Sequence, residues 1–146
     1  MVTYDTLIDT TQEEIYSIIS TDSTVSSLTT NIVDGLPITQ MQRGIGFPYV
    51  KIPCPEYTEE RYTFTKSKVT LDLSITVYST RASVLRELTD AIRKAITDNQ
   101  DATSLVKLRN RKLPTGNYNE SLLDNGKVLY ENTLTATYEF IGEIND

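Results

Sequence analysis

Alternating apolar and polar residues between Val69 and Val77 predict a β-strand with one buried face. Every second residue of this stretch is apolar, and Thr, Asp or Ser lies between, which is the period of a strand packed against a core. After Ser79 and Thr80 the spacing becomes helical, with charged residues on the face opposite the apolar ones. The apolar helical positions are Val84, Leu85, Leu88, Ala91, Ile92, Ala95 and Ile96. A strand followed by an amphipathic helix is typical of a domain in which a helix packs on a sheet.

The N-terminal residues predict a further helix. Its apolar positions are Leu7, Ile8, Ile15, Ile18 and Ile19. Thr10 with Glu13, or Thr11 with Glu14, has the spacing of a capping box, in which a hydroxyl and a carboxylate satisfy the first backbone amides of a helix. The Ser- and Thr-rich segment 20–31 predicts a polar turn and a second, short helical turn.

The rest of the chain predicts mainly strands and turns. Strand patterns occupy residues 47–53, 105–113 and 128–140. Residues 54–66 alternate charged and aromatic side chains and predict a long hairpin arm or a loop that orders only against a neighbour, whereas residues 114–126 are rich in turn formers. The order of elements predicts an α+β domain over residues 1–146, with a mainly antiparallel sheet of about four strands, an amphipathic helix packed on it and an additional N-terminal helix.

Composition removes several classes of chemistry. The 146 residues include no His and one Cys, which excludes an internal disulfide, a multi-cysteine zinc cluster and any catalytic pair that needs imidazole. The net charge of -6 disfavours a protein whose whole surface binds nucleic acid. No apolar run approaches the roughly 20 residues that span a bilayer, and the N-terminus lacks a signal-peptide pattern. We therefore expect a protein that is made in the cytoplasm and stays in solution, with no membrane partner.

Three motifs give weak signals for catalysis or ligand binding. Cys54 lies between two prolines, but a reactive thiol needs a neighbouring base or cation, and the chain contains no His. Glu59 and Glu60 are adjacent, so in a strand their carboxylates point to opposite faces and do not converge on one atom. The Gly-Ile-Gly sequence at 44–46 resembles the start of a phosphate-binding loop but follows no predicted strand. The sequence therefore predicts no catalytic, cofactor-binding or metal-binding residue.

Two segments have the composition of contact surfaces. Residues 56–64 are rich in Tyr, which buries a large area while keeping a polar tip and is enriched in protein interfaces. Residues 107–112 are basic, and in a strand their alternate side chains form a linear positive stripe that suits nucleic acid. Alternatively, these charges protect an edge strand from aggregation. The candidate interface residues are Tyr57, Arg61, Tyr62, Phe64, Lys107, Arg109, Arg111 and Lys112.

Three pieces of the sequence carry a family resemblance, which covers most of residues 4–96. They are an N-terminal helix leading into Ile32-Val33-Asp34-Gly35-Leu36-Pro37, the stretch Gly46-Phe47-Pro48-Tyr49-Val50-Lys51-Ile52, and the strand from Val69 to Val77 followed by Tyr78-Ser79-Thr80 and the helix to Ile96. In their order and spacing they resemble the tail-completion (tail-terminator, head-tail joining) proteins at the neck of long-tailed bacteriophages.

The resemblance implies a virion structural protein without enzymatic activity or a cofactor. Such proteins form a hexameric ring that ends the tail tube and presents a surface to the head connector, and DNA passes through the ring without specific binding. The implied location is the neck of the virion, after assembly in the host cytoplasm. On this hypothesis the arm from Tyr57 to Phe64 and the basic segment 107–112 lie at subunit or tail contacts. The alternatives are another connector or stopper subunit of the neck, and a small ligand-binding or enzymatic domain that uses carboxylates or Cys54.

Overall fold

The computed structural model describes residues 3–33, 48–61, 63–99, 109–122 and 126–144, with Tyr4, Val33 and residues 109–117 described by their backbone alone. Within these ranges the chain forms three helices and six strands. In chain order they are α1 (Tyr4–Thr21), α2 (Ser23–Leu28), β1 (Ile32–Val33), β2 (Tyr49–Lys51), β3 (Glu56–Arg61), β4 (Ser67–Ser79), α3 (Ala82–Asp98), β5 (Arg109–Leu122) and β6 (Val128–Gly142). No helix of these ranges has the length and hydropathy needed to cross a membrane.

Helix α1 begins earlier than its predicted cap. Its N-cap is Thr3, whose side-chain oxygen accepts a hydrogen bond from the amide of Thr6 at 3.2 Å. The capping box predicted at Thr10 or Thr11 is therefore wrong, because both residues lie inside the helix. The buried Thr11 hydroxyl instead donates to the carbonyl of Leu7 at 2.7 Å. Since Leu7 belongs to the hydrophobic core, the helix must include the turn that precedes the predicted cap.

Asp22 forms the connection between α1 and α2. Its carboxylate accepts hydrogen bonds from the amides of Thr24 and Val25, both at 3.0 Å. Its own amide donates to the carbonyl of Ile19 at 3.3 Å, so one residue satisfies backbone groups at the end of one helix and the start of the next. The predicted polar turn and short helix are confirmed, and the helix places Val25 in the core.

The sheet has the strand order β1-β2-β4-β6-β5, and β3 also pairs with β4. Strands β4 and β6 pair antiparallel over all thirteen residues of β4. Strands β2 and β3 share the other edge of β4, with β2 beside residues 76–78 and β3 beside residues 67–72. The predicted α+β class with a mainly antiparallel sheet is confirmed. The described sheet has six strands instead of about four. The two additional strands are β1, which is only two residues long, and β3, which lies in the segment for which a loop was the alternative.

The core lies between the helices and one face of the sheet. Helix α3 packs on β4 and β6, α1 contacts β4 and α3, and α2 packs against both other helices. The strand residues of the core are Val50, Val69, Leu71, Leu73, Ile75, Val77, Leu134, Ala136, Tyr138 and Phe140, and α3 adds Leu85, Leu88, Ala91, Ile92 and Ile96. The alternating residues of β4 and the helical stripe of α3 are therefore the two sides of one interface, as their periods predict.

Strand β5 is longer than predicted and includes most of the predicted turn region. The prediction of turns throughout 114–126 is wrong up to the end of this strand. Pro114 lies where the pairing with β6 shifts register, between Lys112 and Thr115, and a missing amide is tolerated at such an irregularity. Among the described strands β5 pairs with β6 alone, and an edge strand accepts turn-forming residues that a central strand excludes. The turn itself follows the strand, where Gly126 has a φ of 84°.

Tyr138 is a buried core residue whose hydroxyl has no hydrogen-bond partner within the described ranges. The residue is 2 % exposed, and burial raises the pKa of Tyr138 above its ordinary value of 10.0. Because a buried hydroxyl without a partner costs about 1–3 kcal/mol, we expect Tyr138→Phe to raise the free energy of unfolding by about 1 kcal/mol. Denaturant unfolding of both proteins measures the change. A loss of about 1 kcal/mol would instead mean that the hydroxyl forms a hydrogen bond in solution.

Candidate interaction surface

The predicted arm is a β-hairpin formed by β3 and the first half of β4. Every residue of β3 is exposed, and the paired region ends with Arg61 opposite Ser67. In the turn, the amide of Thr63 donates to the carbonyl of Lys66 at 3.0 Å, and the amide of Lys66 donates to the hydroxyl oxygen of Thr63 at 3.1 Å. Of the two alternatives for this segment, the hairpin is confirmed, because its turn is closed by hydrogen bonds of its own.

The hairpin presents aromatic side chains to solvent. Phe64, at the turn, is 97 % exposed, and Tyr57 on β3 is 49 % exposed. Arg61 is exposed as well, whereas Tyr62 lies outside the described residues. Transfer of an exposed phenyl ring from water into an apolar contact is favourable by about 1.5–3 kcal/mol. Aromatic rings are enriched at interfaces, where contact with a partner recovers this free energy.

On the outer face of the sheet, the face opposite the helices, ion pairs of Lys68 link β4 to its two neighbours β3 and β6. Lys68 Nζ lies 3.4 Å from Glu60 Oε1 and 3.6 Å from Glu139 Oε2. The register places Glu60 opposite Lys68 and Glu59 opposite the core residue Val69. The adjacent glutamates therefore occupy opposite faces, as strand alternation predicts, and do not form a carboxylate pair. The Glu60 side chain is 70 % exposed, whereas that of Glu139 is 12 % exposed. The pair with the exposed Glu60 adds little stability, typically about 0–1 kcal/mol.

The basic segment coincides with the beginning of β5, at one edge of the sheet. Arg109 pairs with Glu139 and Lys112 with Thr137, and the register shifts between these two pairs. Glu139 and Thr137 are two residues apart on the outer face of β6, whereas Arg109 and Lys112 are three residues apart on β5. Arg111 is therefore an extra residue in β5, as in a β-bulge. The predicted stripe on alternate residues is wrong in this respect, because the irregularity breaks the two-residue period. Lys107 lies outside the described residues.

Cys54 is exposed and lies close to an amide. Its Sγ is 3.7 Å from Oε1 of Gln12, and Nε2 of Gln12 donates to the carbonyl of Ile52 at 2.9 Å. Gln12 thus ties α1 to the segment between β2 and β3. An amide oxygen is not a base at neutral pH, so this contact does not activate the thiol. The Gly-Ile-Gly sequence at 44–46 falls outside the described residues.

A groove that the sequence did not predict lies between α2 and α3. It has a volume of about 600 Å³. It is lined by Asp22, Thr24, Ser27, Leu28, Glu87, Asp90, Ala91, Lys94 and Asp98. Asp90 forms an ion pair with Arg93 at 2.8 Å. In the part of the chain that the structure describes, no three or more His, Cys, Asp or Glu side chains are placed to hold a metal ion, so the acidic groove has no ligand set for a cation.

A second exposed aromatic group lies toward the end of β5. The rings of Tyr118 and Tyr130 are stacked, with centroids 6.5 Å apart, and Leu122 is 74 % exposed. The Tyr118 hydroxyl donates to Oε1 of Glu120 at 2.5 Å. This hydrogen bond raises the pKa of Tyr118 to about 12. This surface was missed from the sequence because turns are predicted here. The signal that could have identified it is the two-residue spacing of Tyr118, Glu120 and Leu122, which places them on one face of a strand.

Glu120→Gln is expected to lower the pKa of Tyr118 from about 12 toward its ordinary value of 10.0, because a neutral amide no longer favours the protonated phenol. A raised pKa stabilises the folded state below pH 10, and this contribution is lost as the pH rises through about 12. Ultraviolet titration of the phenolate measures the shift. The chain has nine Tyr, so the curve of a Tyr118→Phe variant is subtracted to isolate Tyr118. An unchanged curve in Glu120→Gln would contradict the assignment.

Comparison with known proteins yields a likeness of fold. No protein-family profile matches this chain, and no curated protein does. Among solved structures, a chain of the virion of a native gene transfer agent particle has a similar fold, with a TM-score of 0.57 and 13 % sequence identity. The match covers 88 % of this chain and 92 % of that chain. At this identity the likeness establishes the fold alone.

Proposed function

We propose that this chain is a structural protein of a bacteriophage-like virion and has no enzymatic role. The observation that carries the proposal is the fold shared with a virion chain over 88 % of this chain and 92 % of the other. Because one fold can serve several functions, the surface provides independent support. An exposed hairpin with an aromatic residue at its turn is suited to contacts between subunits, and the exposed Cys54 faces an amide instead of a base.

The specific role that we propose is tail completion, with residues 1–146 acting as one domain. Copies of the chain form a ring, hexameric by the family resemblance, at the end of the tail tube. The described parts of the pieces that carry the resemblance fall on α1 and β1, on β2, and on β4 and α3, which build much of the sheet and its helical cover. Residues 34–37 and 46–47 of these pieces lie outside the described residues. A ring closes only through a head-to-tail interface between two different surfaces. The two edges of this sheet differ from each other and could form such a head-to-tail interface.

In this role the partners are further copies of the chain, the tail tube protein and the connector or stopper proteins of the head. The protein then resides in the neck of the virion after assembly in the host cytoplasm. DNA passes through the lumen of the ring. The net charge of -6 favours passage without specific binding, because an acidic protein does not neutralise the phosphate backbone.

Negative-stain imaging of the purified protein over a concentration series tests this function. We expect rings with a central hole at high concentration, and rings at the tips of isolated tails when tails from the parent virus are added. Binding to DNA-filled heads in preference to tails would assign the chain to the connector or stopper proteins. A protein that stays monomeric and binds neither heads nor tails would contradict a role in the neck.

A further inference from the structure

The described sheet ends in different strands on its two sides. One side ends in β5, which pairs with β6, and the other ends in β3 and the short β1. On β3 all six residues are exposed, and its described strand partner is β4. A sheet edge offers backbone donors and acceptors to any strand that approaches it. The described strands of each copy therefore provide two sheet edges on which a second copy can dock.

The two edges carry opposite charges. Strand β3 contains Glu56, Glu59, Glu60 and Arg61, a net charge of -2. The first four residues of β5 contain Arg109, Arg111 and Lys112 and no acidic residue, a net charge of +3. In a chain whose total charge is -6, this short basic segment stands out. Between two copies, contacts of β3 with β3 or of β5 with β5 are repulsive, whereas contacts of β3 with β5 are attractive.

We propose that the β3 edge of one copy docks on the basic beginning of β5 in the next copy. This inference rests on the proposed ring and identifies its interface. A two-fold dimer places identical surfaces against each other, so edge-to-edge dimers of this chain bring like charges together. A head-to-tail contact brings unlike charges together and leaves one edge of each kind unused, which the next copies occupy until the ring closes. The charges thus select ring closure over dimers.

The irregular beginning of β5 determines the kind of contact. The pairing with β6 shifts register twice between Asn110 and Thr115, and Pro114 lies in this interval. Bulges and prolines interrupt the regular ladder of an edge strand, so the docking relies on side-chain charges more than on a continuous ladder of backbone hydrogen bonds. Screening by salt weakens contacts between exposed charges. Self-association through this interface therefore decreases as ionic strength rises.

Two charge-reversed variants test the pairing. The first, Glu56→Lys with Glu59→Lys, changes the charge of β3 and leaves Glu60 in its ion pair with Lys68. The second, Arg111→Glu with Lys112→Glu, changes the charge of β5. It leaves Arg109 opposite Glu139, so no like-charged cross-strand pair is created.

Each variant alone brings like charges together, and we expect its self-association to be at least about tenfold weaker than that of the wild type. In an equimolar mixture the acidic β3 of the second variant meets the basic β5 of the first, and the two reversed edges attract each other as well. We expect the mixture, and a chain with all four substitutions, to recover assembly. Sedimentation velocity measures the association, and circular dichroism confirms folding.

Matched controls place equal charge changes on exposed positions of α3. Glu87→Lys with Asp98→Lys reproduces the first change in net charge, and Arg86→Glu with Lys94→Glu reproduces the second; all four residues are exposed. We expect both controls to associate like the wild type. Equal losses in the controls would attribute the effect to net charge and overturn the pairing.

The remaining outcomes separate the pairing from the proposed function. The pairing is overturned if each charge-reversed variant alone forms rings normally. It is also overturned if assembly is lost and neither the mixture nor the chain with all four substitutions restores it. Neither result contradicts the proposed function of the ring. A third outcome is that the variant Arg111→Glu with Lys112→Glu associates normally but no longer binds duplex DNA. This result would show that the basic strand binds nucleic acid, and it would also overturn the pairing. A wild type that is monomeric at every concentration also overturns it, and the experiment with isolated tails then decides the function.

Discussion

Replacing Phe64 with serine is expected to weaken self-association by roughly 30-fold, which corresponds to the loss of about 2 kcal/mol at an aromatic hot spot. The ring is 97 % exposed in the isolated chain, at the turn that follows β3. If β3 docks on a second copy, this turn lies within the interface, where the phenyl ring gains apolar contacts that the isolated chain does not provide. Folding is expected to change by no more than about 0.5 kcal/mol, as for other surface substitutions.

Thr65→Ala is the matched control, since Thr65 is exposed in the same turn. Sedimentation velocity of the three proteins gives the association, and thermal unfolding gives the stability. A Phe64→Ser variant that assembles like the wild type would show that the ring of Phe64 contacts something other than a second copy. Binding to isolated tails then identifies whether that partner is the tail tube.

Replacing Leu88 with alanine is expected to lower the free energy of unfolding by about 3 kcal/mol, within the range of 2–5 kcal/mol for Leu→Ala in a core. Leu88 is 0 % exposed and lies in the middle of α3. Alanine has the higher helix propensity, so the loss reports the packing of α3 on the sheet and not the helix itself. A marginally stable domain loses a large part of its total stability through such a change.

Glu87→Ala provides the comparison, because Glu87 is the exposed neighbour of Leu88 on the same helix. We expect it to change stability by less than about 0.5 kcal/mol. Denaturant unfolding at a protein concentration below that of assembly keeps self-association from adding to the measured stability. Equal effects of the two substitutions would contradict the packing of α3 against β4 and β6.

The central elements of the fold are predictable because their signal is local. The two-residue period of β4 and the helical period of α3 each arise from one buried face, and both predictions are confirmed. The start of α1 is not predictable in the same way. Thr3, Thr10 and Thr11 can all cap a helix, and the choice among them is made by the burial of Leu7, which depends on the whole core.

Strand β5 could not be predicted from its local sequence. Its sequence contains Pro114, Gly116 and Asn117, which predict turns when considered alone. The strand forms because β6 pairs with it, from Arg109 opposite Glu139 to Leu122 opposite Val128, and this pairing is a tertiary effect. The same limit applies to the candidate interface. The exposed aromatic arm can be predicted from the composition of its segment. The bulge that interrupts the basic stripe cannot, because it depends on the register between β5 and β6.

The most direct test of the account is a cryo-electron microscopy reconstruction of the assembled protein at a resolution that separates β-strands. We predict closed rings in which β3 of each subunit lies beside residues Arg109 to Lys112 of the next subunit. Two-fold dimers, or rings whose subunits meet through their helices while both sheet edges face solvent, would contradict it.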